Sequence, residues 1–236
     1  MTTLLFRDDG YLRSTTAQVV GVDGRGIRLD RTVFYPRGGG QPGDCGVLRL
    51  ASGETIPIID TVKGDGEDGV IHIPASGASP PSPGAELVAE IDWQRRHRLM
   101  RMHTCLHLMC AVVPGSVTGG QVADGRGRLD FDVPGSSLDK EMIGAQLGQL
   151  IAAAHPVTPR WITDEELADQ PDLVRTMSVK PPTGSGRVRL MEIAGIDLQP
   201  CGGTHVRNTA EIGPVTVSKI ENKGRQNRRI VIAFAE

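Results

Sequence analysis

The chain reads as an α+β protein: a small antiparallel β-barrel over residues 1–91, then an α+β domain over 92–236 in which helices accompany an antiparallel sheet. Three observations predict this. The first ninety or so residues are filled with short β-prone runs separated by Asp-Gly and Ser-Gly, with no helical period. A long apolar-periodic stretch, capped at both ends, opens the second part. The last segment returns to alternating runs that read as a hairpin.

In the first part, Ala17–Val22 and Gly26–Asp30 flank Asp23-Gly24, a strong hairpin signal, and further strand-like runs lie at Val47–Leu50, Thr55–Val62, Gly69–Ile73 and Glu86–Ile91. A closed antiparallel sheet accommodates such a series. The Pro- and Ser-rich segment Pro74–Gly84 reads as an exposed loop. Phe34–Asp44 breaks the pattern with Gly38-Gly39-Gly40-Gln41. Three glycines in a row either form a wide turn or let a ligand backbone come close, with Arg37 and Gln41 as polar contacts.

In the second part, Asp92 is an N-cap and Pro114-Gly115 a stop, so a helix is expected over Trp93–Val113. Leu99, His103, Leu106, His107 and Cys110 share one face. Arg95, Arg96, Arg98 and Arg101 crowd its first half, where positive charge opposes the helix dipole; the solvated face is the bland reading and a phosphate contact the sharper one. A strand over Arg128–Val133, a helix over Leu138–Ala154, a short helix capped by Thr163 with Glu166, a strand over Arg187–Ile193 and a hairpin over Pro214–Glu221 and Arg229–Ala235 follow. Lys219, Lys223, Arg225, Arg228 and Arg229 make a second basic patch around that hairpin.

Length and charge bound the function. A chain of 236 residues with 39% hydrophobic content can build one large or two ordinary domains, and a net charge of −2 gives no global case for nucleic-acid binding. The first residues are not those of a signal peptide, and no apolar stretch approaches the roughly 20 residues of a membrane span. A cytoplasmic protein with reduced thiols and no membrane partner is expected, so Cys45, Cys105, Cys110 and Cys201 do not suggest a disulfide framework.

The chemistry concentrates in two pairs. His103 and His107 are four apart on the predicted helix, on one face. Cys201 and His205 bracket Gly202-Gly203-Thr204 after Pro200, a turn composition. Three imidazoles and a thiolate suit tetrahedral zinc, provided the fold brings the pairs together. Thr104 stands where a metalloprotease helix would carry its glutamate base, so that chemistry is excluded.

These motifs resemble the editing domain shared by alanyl- and threonyl-tRNA synthetases. Leu198–Gly213 and Lys219–Gly224 are close to the alanyl form, and Gly39-Gly40-Gln41-Pro42-Gly43-Asp44 is similar to the glycine motif of the free-standing alanyl-tRNA editing proteins, the AlaX group, in its medium-sized type. The resemblance covers nearly the whole chain. It departs at Cys105, where the family more often has alanine; packing is the expected role.

What the resemblance implies is a zinc-dependent hydrolase that clears misacylated tRNA for alanine, chiefly seryl-tRNA; glycine is a second substrate only if its small size compensates for the missing hydroxyl, and no aminoacylation activity is expected, since the synthetase's class II domain is missing. The implied metal ligands are His103, His107, Cys201 and His205; the glycine motif maps to Gly38, Gly39, Gly40 and Gln41. Rejecting alanine requires a partner for the serine hydroxyl, and Thr104, Gln121 and the Gly119-Gly120 backbone are candidates. Asp130 and Asp132 are weak candidates for a base. Arg95, Arg96, Arg98, Lys219, Lys223, Arg225, Arg228 and Arg229 are candidate contacts to the acceptor end of tRNA. Two other readings are a non-catalytic tRNA-binding module with structural zinc, and a threonyl-type editing activity.

Overall fold

The structure is a computed structural model that describes residues 2–66, 68–133, 138–174 and 186–235. It divides into two compact units, 1–97 and 98–236.

The first unit is a barrel. Its strands are β1 (Thr3–Leu4), β2 (Ser14–Asp23), β3 (Gly26–Leu29), β4 (Arg31–Thr32), β5 (Gly46–Leu50), β6 (Thr55–Lys63), β7 (Val70–Pro74) and β8 (Glu86–Ile91). Six of them close in the order β2-β3-β7-β6-β5-β8, with antiparallel neighbours, as expected from the turn spacing. Alternate residues point inward: Ala17 and Val19, Ile27 and Leu29, Ile56 and Ile58, and Leu87, Ala89 and Ile91 fill the interior with Phe34 and Leu48.

The glycine run is a tight turn rather than a wide one. Gly38 and Gln41 exchange both backbone hydrogen bonds, at 3.1 and 2.9 Å, and the two residues between them have φ of +54° and +80°. This is the pattern of a two-residue type I′ hairpin turn, which needs left-handed backbone at both central positions and therefore favours glycine there. The base of the loop is held by a buried charge. Asp44, 1% exposed, accepts the Tyr35 amide at 2.6 Å and pairs with the guanidinium of Arg96, which is 0% exposed. Arg96 also donates to the Gly10 and Val33 carbonyls at 2.9 and 2.7 Å.

The second unit holds α1 (Trp93–Val112, entering it at Arg98), β9 (Ser116–Ala123), β10 (Arg126–Asp132), α2 (Lys140–Ala152), β11 (Val157–Thr163), α3 (Asp164–Ala168), β12 (Arg187–Ile193), β13 (Asp197–Pro200), β14 (Val215–Asn222) and β15 (Asn227–Phe234). One antiparallel sheet runs β14-β15-β10-β9 and another β11-β12-β13. Asp92 caps α1 through the Arg95 amide at 3.1 Å, and Thr163 with Glu166 forms the expected capping box on α3. Helix α1 lies close on β10: a Cβ at Gly127 would stand 3.0 Å from Met102 and 3.1 Å from Leu106, so the missing side chain is what lets the helix approach.

Strands β9, β11 and β13 go beyond the sequence expectation. Paired glycines weaken the signal of β9, and Pro159 weakens that of β11; the proline is tolerated because β11 is an edge strand. Strand β13 is too short to announce itself.

Candidate metal centre

Helix α1 supplies His103 and His107; the turn after β13 supplies Cys201 and His205. The fold brings the two pairs together. One ligand atom from each residue lies within 4.8 Å of all the others, and the three histidines are buried. Cys201 Sγ is 3.6 Å from His103 Nε2 and 3.2 Å from His205 Nε2. Zinc–sulfur and zinc–nitrogen bonds of about 2.3 and 2.0–2.1 Å at a tetrahedral angle separate the two atoms by roughly 3.6 Å. The donor set therefore fits a zinc ion.

Neighbouring groups fix which nitrogen faces the centre. The Thr104 hydroxyl donates to the Met100 carbonyl at 3.0 Å and accepts from His205 Nδ1 and the Val206 amide at 3.1 and 3.2 Å. His205 is therefore protonated on Nδ1 and presents a lone pair at Nε2. Asp197 Oδ2 accepts from His107 Nδ1 at 3.1 Å, which leaves Nε2 of that ring for the centre. Gln199 Nε2 donates to the same oxygen at 2.8 Å. A ligating histidine with its other nitrogen bound to a carboxylate or a fixed oxygen is the usual outer support of a metal site. Arg189 holds the turn itself, donating to the carbonyls of Cys201 and Gly203 at 2.7 and 3.0 Å.

The electrostatic shifts within the cluster run in both directions, and a cation entering it would displace the proton from His107. Burial pushes the Cys201 thiol up, but the adjoining His103 and His205 side chains outweigh it and hold the group well below its ordinary value. Burial and then the proximity of His103 push His205 well down, so it stays neutral. Burial lowers His107, but its hydrogen bonds to Asp197 and Cys201 raise it to about 9. Cys105 is buried in packing, its thiol pushed up to about 12 by desolvation, and it takes no part.

The family profile described as "Threonyl and Alanyl tRNA synthetase second additional domain" matches residues 188–231, which include Cys201, His205 and Arg189. Over 98% of both chains, the sequence is 32% identical to an alanyl-tRNA editing protein AlaX-M of Saccharolobus solfataricus, and over the whole of both chains it is 34% identical to the AlaX-M of Methanosarcina acetivorans. The chain belongs to the AlaX-M family. An AlaX-M chain also resembles part of a much longer enzyme: 93% of the sequence is 35% identical to a stretch covering 25% of an alanine–tRNA ligase from Sulfurisphaera tokodaii.

Several expected contacts of this AlaX-M member have other partners. Arg96 is not a phosphate contact, because its guanidinium is fully buried against Asp44. Arg95 donates to the Gly43 carbonyl at 2.8 Å, and Arg98 pairs with Asp124 at 2.5 Å. Arg101 donates to the Ile212 carbonyl at 2.9 Å and lies 4.1 Å over the Phe234 ring. Arg229 is paired with Asp130 at 2.7 Å; the pair holds Asp130 below the usual carboxylate range and makes it a poor base. Lys219 and Lys223 pair with Glu221 at 2.6 and 3.5 Å, Arg228 donates to the Gly224 and Asn227 carbonyls at 3.3 and 3.1 Å, and Arg225 is exposed. Thr104 is not a hydroxyl partner for substrate, since its own donor and acceptors are occupied by protein. Gln121 is exposed on β9, its carbonyl accepting from Arg128 at 3.2 Å. Asp197, Gln199 and Arg189 are the residues that sequence reasoning missed. Asp197, Gln199 and Cys201 recur at a period of two, and that alternation is the signal that points to the first two.

Proposed function

We propose that the chain is a trans-acting deacylase that hydrolyses the aminoacyl ester of tRNA for alanine mischarged with serine, and secondarily with glycine, at a zinc ion held by His103, His107, Cys201 and His205. The observation that carries this reading is the convergence of these four donors, with two tautomers set by Thr104 and Asp197, in a chain related end to end to alanyl-tRNA editing proteins. The reaction adds water across the ester carbonyl and releases serine and the free ribose hydroxyl. When bound, zinc supplies a positive charge that polarises an oxygen or orients the substrate.

The chain's own residues do the rest. Asp197 and Thr104 keep His107 and His205 aimed at the centre, Arg189 fixes the turn that carries Cys201, and the buried histidines limit water. Discrimination falls to groups that hydrogen-bond the serine hydroxyl: a site built to pair with that hydroxyl leaves polar atoms unpaired when alanine enters, which rejects it by roughly 10⁴–10⁵. The Gly119-Gly120 backbone supports this role. It lies on β9, the outer strand of its sheet, with β10 on one side. The turn at Gly38–Gln41, with Gly39 and Gly40 exposed at its tip, gives a place where RNA backbone can come close.

Four protein ligands fill a tetrahedral shell, which is the pattern of a structural zinc, so a tRNA-binding module without catalysis is the second reading. Purified protein mixed with seryl-tRNA for alanine separates the two. Multiple turnovers of serine release, with alanyl-tRNA spared, support the enzyme. Binding without release supports the module, and a preference for seryl-tRNA for threonine supports threonyl-type editing.

A further inference from the structure

The chain has two tryptophans. Trp93 is half-buried and stacked on His97. Trp161 is 36% exposed on β11, and it is the one aromatic among the exposed large hydrophobic residues described. It does not serve the local core: Ile162, Val188, Leu190 and Leu198 pack with Leu167 of α3, and these strand residues alternate with Trp161, Arg187 and Arg189, so the indole is on the other face of the sheet. The guanidinium of Arg187 lies 4.4 Å from the centre of its ring.

That other face leads to the metal centre. Trp161 stands directly across the strands from Arg189, and cross-strand neighbours have β-carbons about 4.5–5.5 Å apart. Arg189 grips the Cys201 and Gly203 carbonyls. Met191, on the same face, is paired in register with Gln199, which lies 3.1 Å from His107 Nδ1. An exposed indole under a guanidinium, one cross-strand pair from the turn that holds a metal ligand, is a planar cationic surface of the kind on which unpaired bases stack.

We propose that Trp161 and Arg187 form a stacking platform for an unpaired nucleotide at the 3′ end of the RNA, beside the metal centre. This rests on the reading that the chain acts at a tRNA 3′ end, and it adds a contact that no basic patch supplies: the base stacks on the indole–guanidinium pair. Arg160, on the opposite face, is paired with Glu192 at 2.6 Å and takes no part.

The test uses the full chain with Trp93→Phe, which leaves Trp161 as the sole indole. The probes are an uncharged RNA hairpin of acceptor-stem length with a single-stranded ACCA tail and the same hairpin with a blunt end. The tailed hairpin quenches Trp161 fluorescence saturably and the blunt one does not. Equal quenching by both, or none by either, overturns the platform. In the otherwise native chain, Trp161→Ala raises KM for seryl-tRNA about tenfold with kcat and zinc content unchanged, and Trp161→Phe restores most of the loss. A native KM in Trp161→Ala also overturns it. The fluorescence arm needs no turnover, so a wild-type chain that fails to deacylate refutes the proposed enzyme while the stacking contact is still decided.

Discussion

Arg96 with Asp44 in the first unit, and the four donors around Cys201 in the second, are both buried clusters of ionisable side chains, and they are built on opposite plans. Around Arg96 the guanidinium contacts end on protein oxygens: the Asp44 carboxylate and the Gly10 and Val33 carbonyls. Charge meets charge, and the cluster is complete without any other species. Around Cys201 the geometry turns outward from the protein. Thr104 and Asp197 take the far nitrogens of His205 and His107, and what remains, one ligand atom from each of three rings and a sulfur, gathers within 4.8 Å. The first plan is a clamp for a loop; the second is a socket for a cation. The lesson is that burial and charge alone do not identify a functional site. The direction in which the remaining donor atoms point does.

The comparison breaks most sharply at Cys201. Cys201→Ala removes the anionic member of the socket; zinc measured by elemental analysis is expected to fall from about one per chain to a trace, and deacylation by at least 100-fold. Substitution at the clamp acts on stability instead. Asp44→Ala leaves Arg96 buried and uncompensated, which lowers unfolding free energy by about 3–5 kcal/mol in urea titration, while zinc content is kept. An Asp44→Leu, Arg96→Met double variant is expected to recover much of that loss; a single variant as stable as wild type would mean the pair is not a clamp.

His72 sharpens the contrast, as a buried histidine that is neither clamp nor socket. It hydrogen-bonds Thr32 at 2.8 Å and the Ile27 carbonyl at 3.0 Å, and burial lowers its pKa from 6.5 to about 4. Above pH about 6.5 both folded and unfolded chains hold it neutral. Below that, the unfolded chain takes the proton first, so stability falls as pH drops toward 4. The expected loss is on the order of 2–3 kcal/mol more for wild type than for His72→Gln between pH 7 and 4.5.

Within the socket, Asp197→Ala is expected to weaken zinc 10- to 100-fold in a competition titration, and Asp197→Asn less, because the amide oxygen still accepts from His107. The smallest effect is at the surface. Arg225 is exposed, whereas Arg229 is pinned to Asp130. Neutralising Arg225 and Arg228 should raise KM a few-fold and reduce the salt slope of tRNA binding by about two, with zinc unchanged.

The four donors were legible because spacing is local: His103 and His107 on one helix face, Cys201 and His205 around a glycine turn. The barrel was legible because its turns and its alternation are local too. Arg96 was not. Its partner Asp44 lies 52 positions away, and in sequence it is one arginine among four at the start of a helix. Thr104 was visible as a polar residue between the two histidines, but its role depends on the Val206 amide and His205, about a hundred positions on. Strand β11, with Pro159 in its middle, gave no local signal, and so the exposed face bearing Trp161 was hidden as well.

The measurement that bears most directly on the account is a stepwise removal of metal. Aliquots of the purified chain are brought to graded zinc content with a chelator, and the initial rate of serine release from seryl-tRNA for alanine is measured on each. The account predicts that rate and bound zinc fall together toward zero, and that restoring zinc restores the rate. A chain stripped of zinc, still folded, that deacylates at the full rate would contradict it.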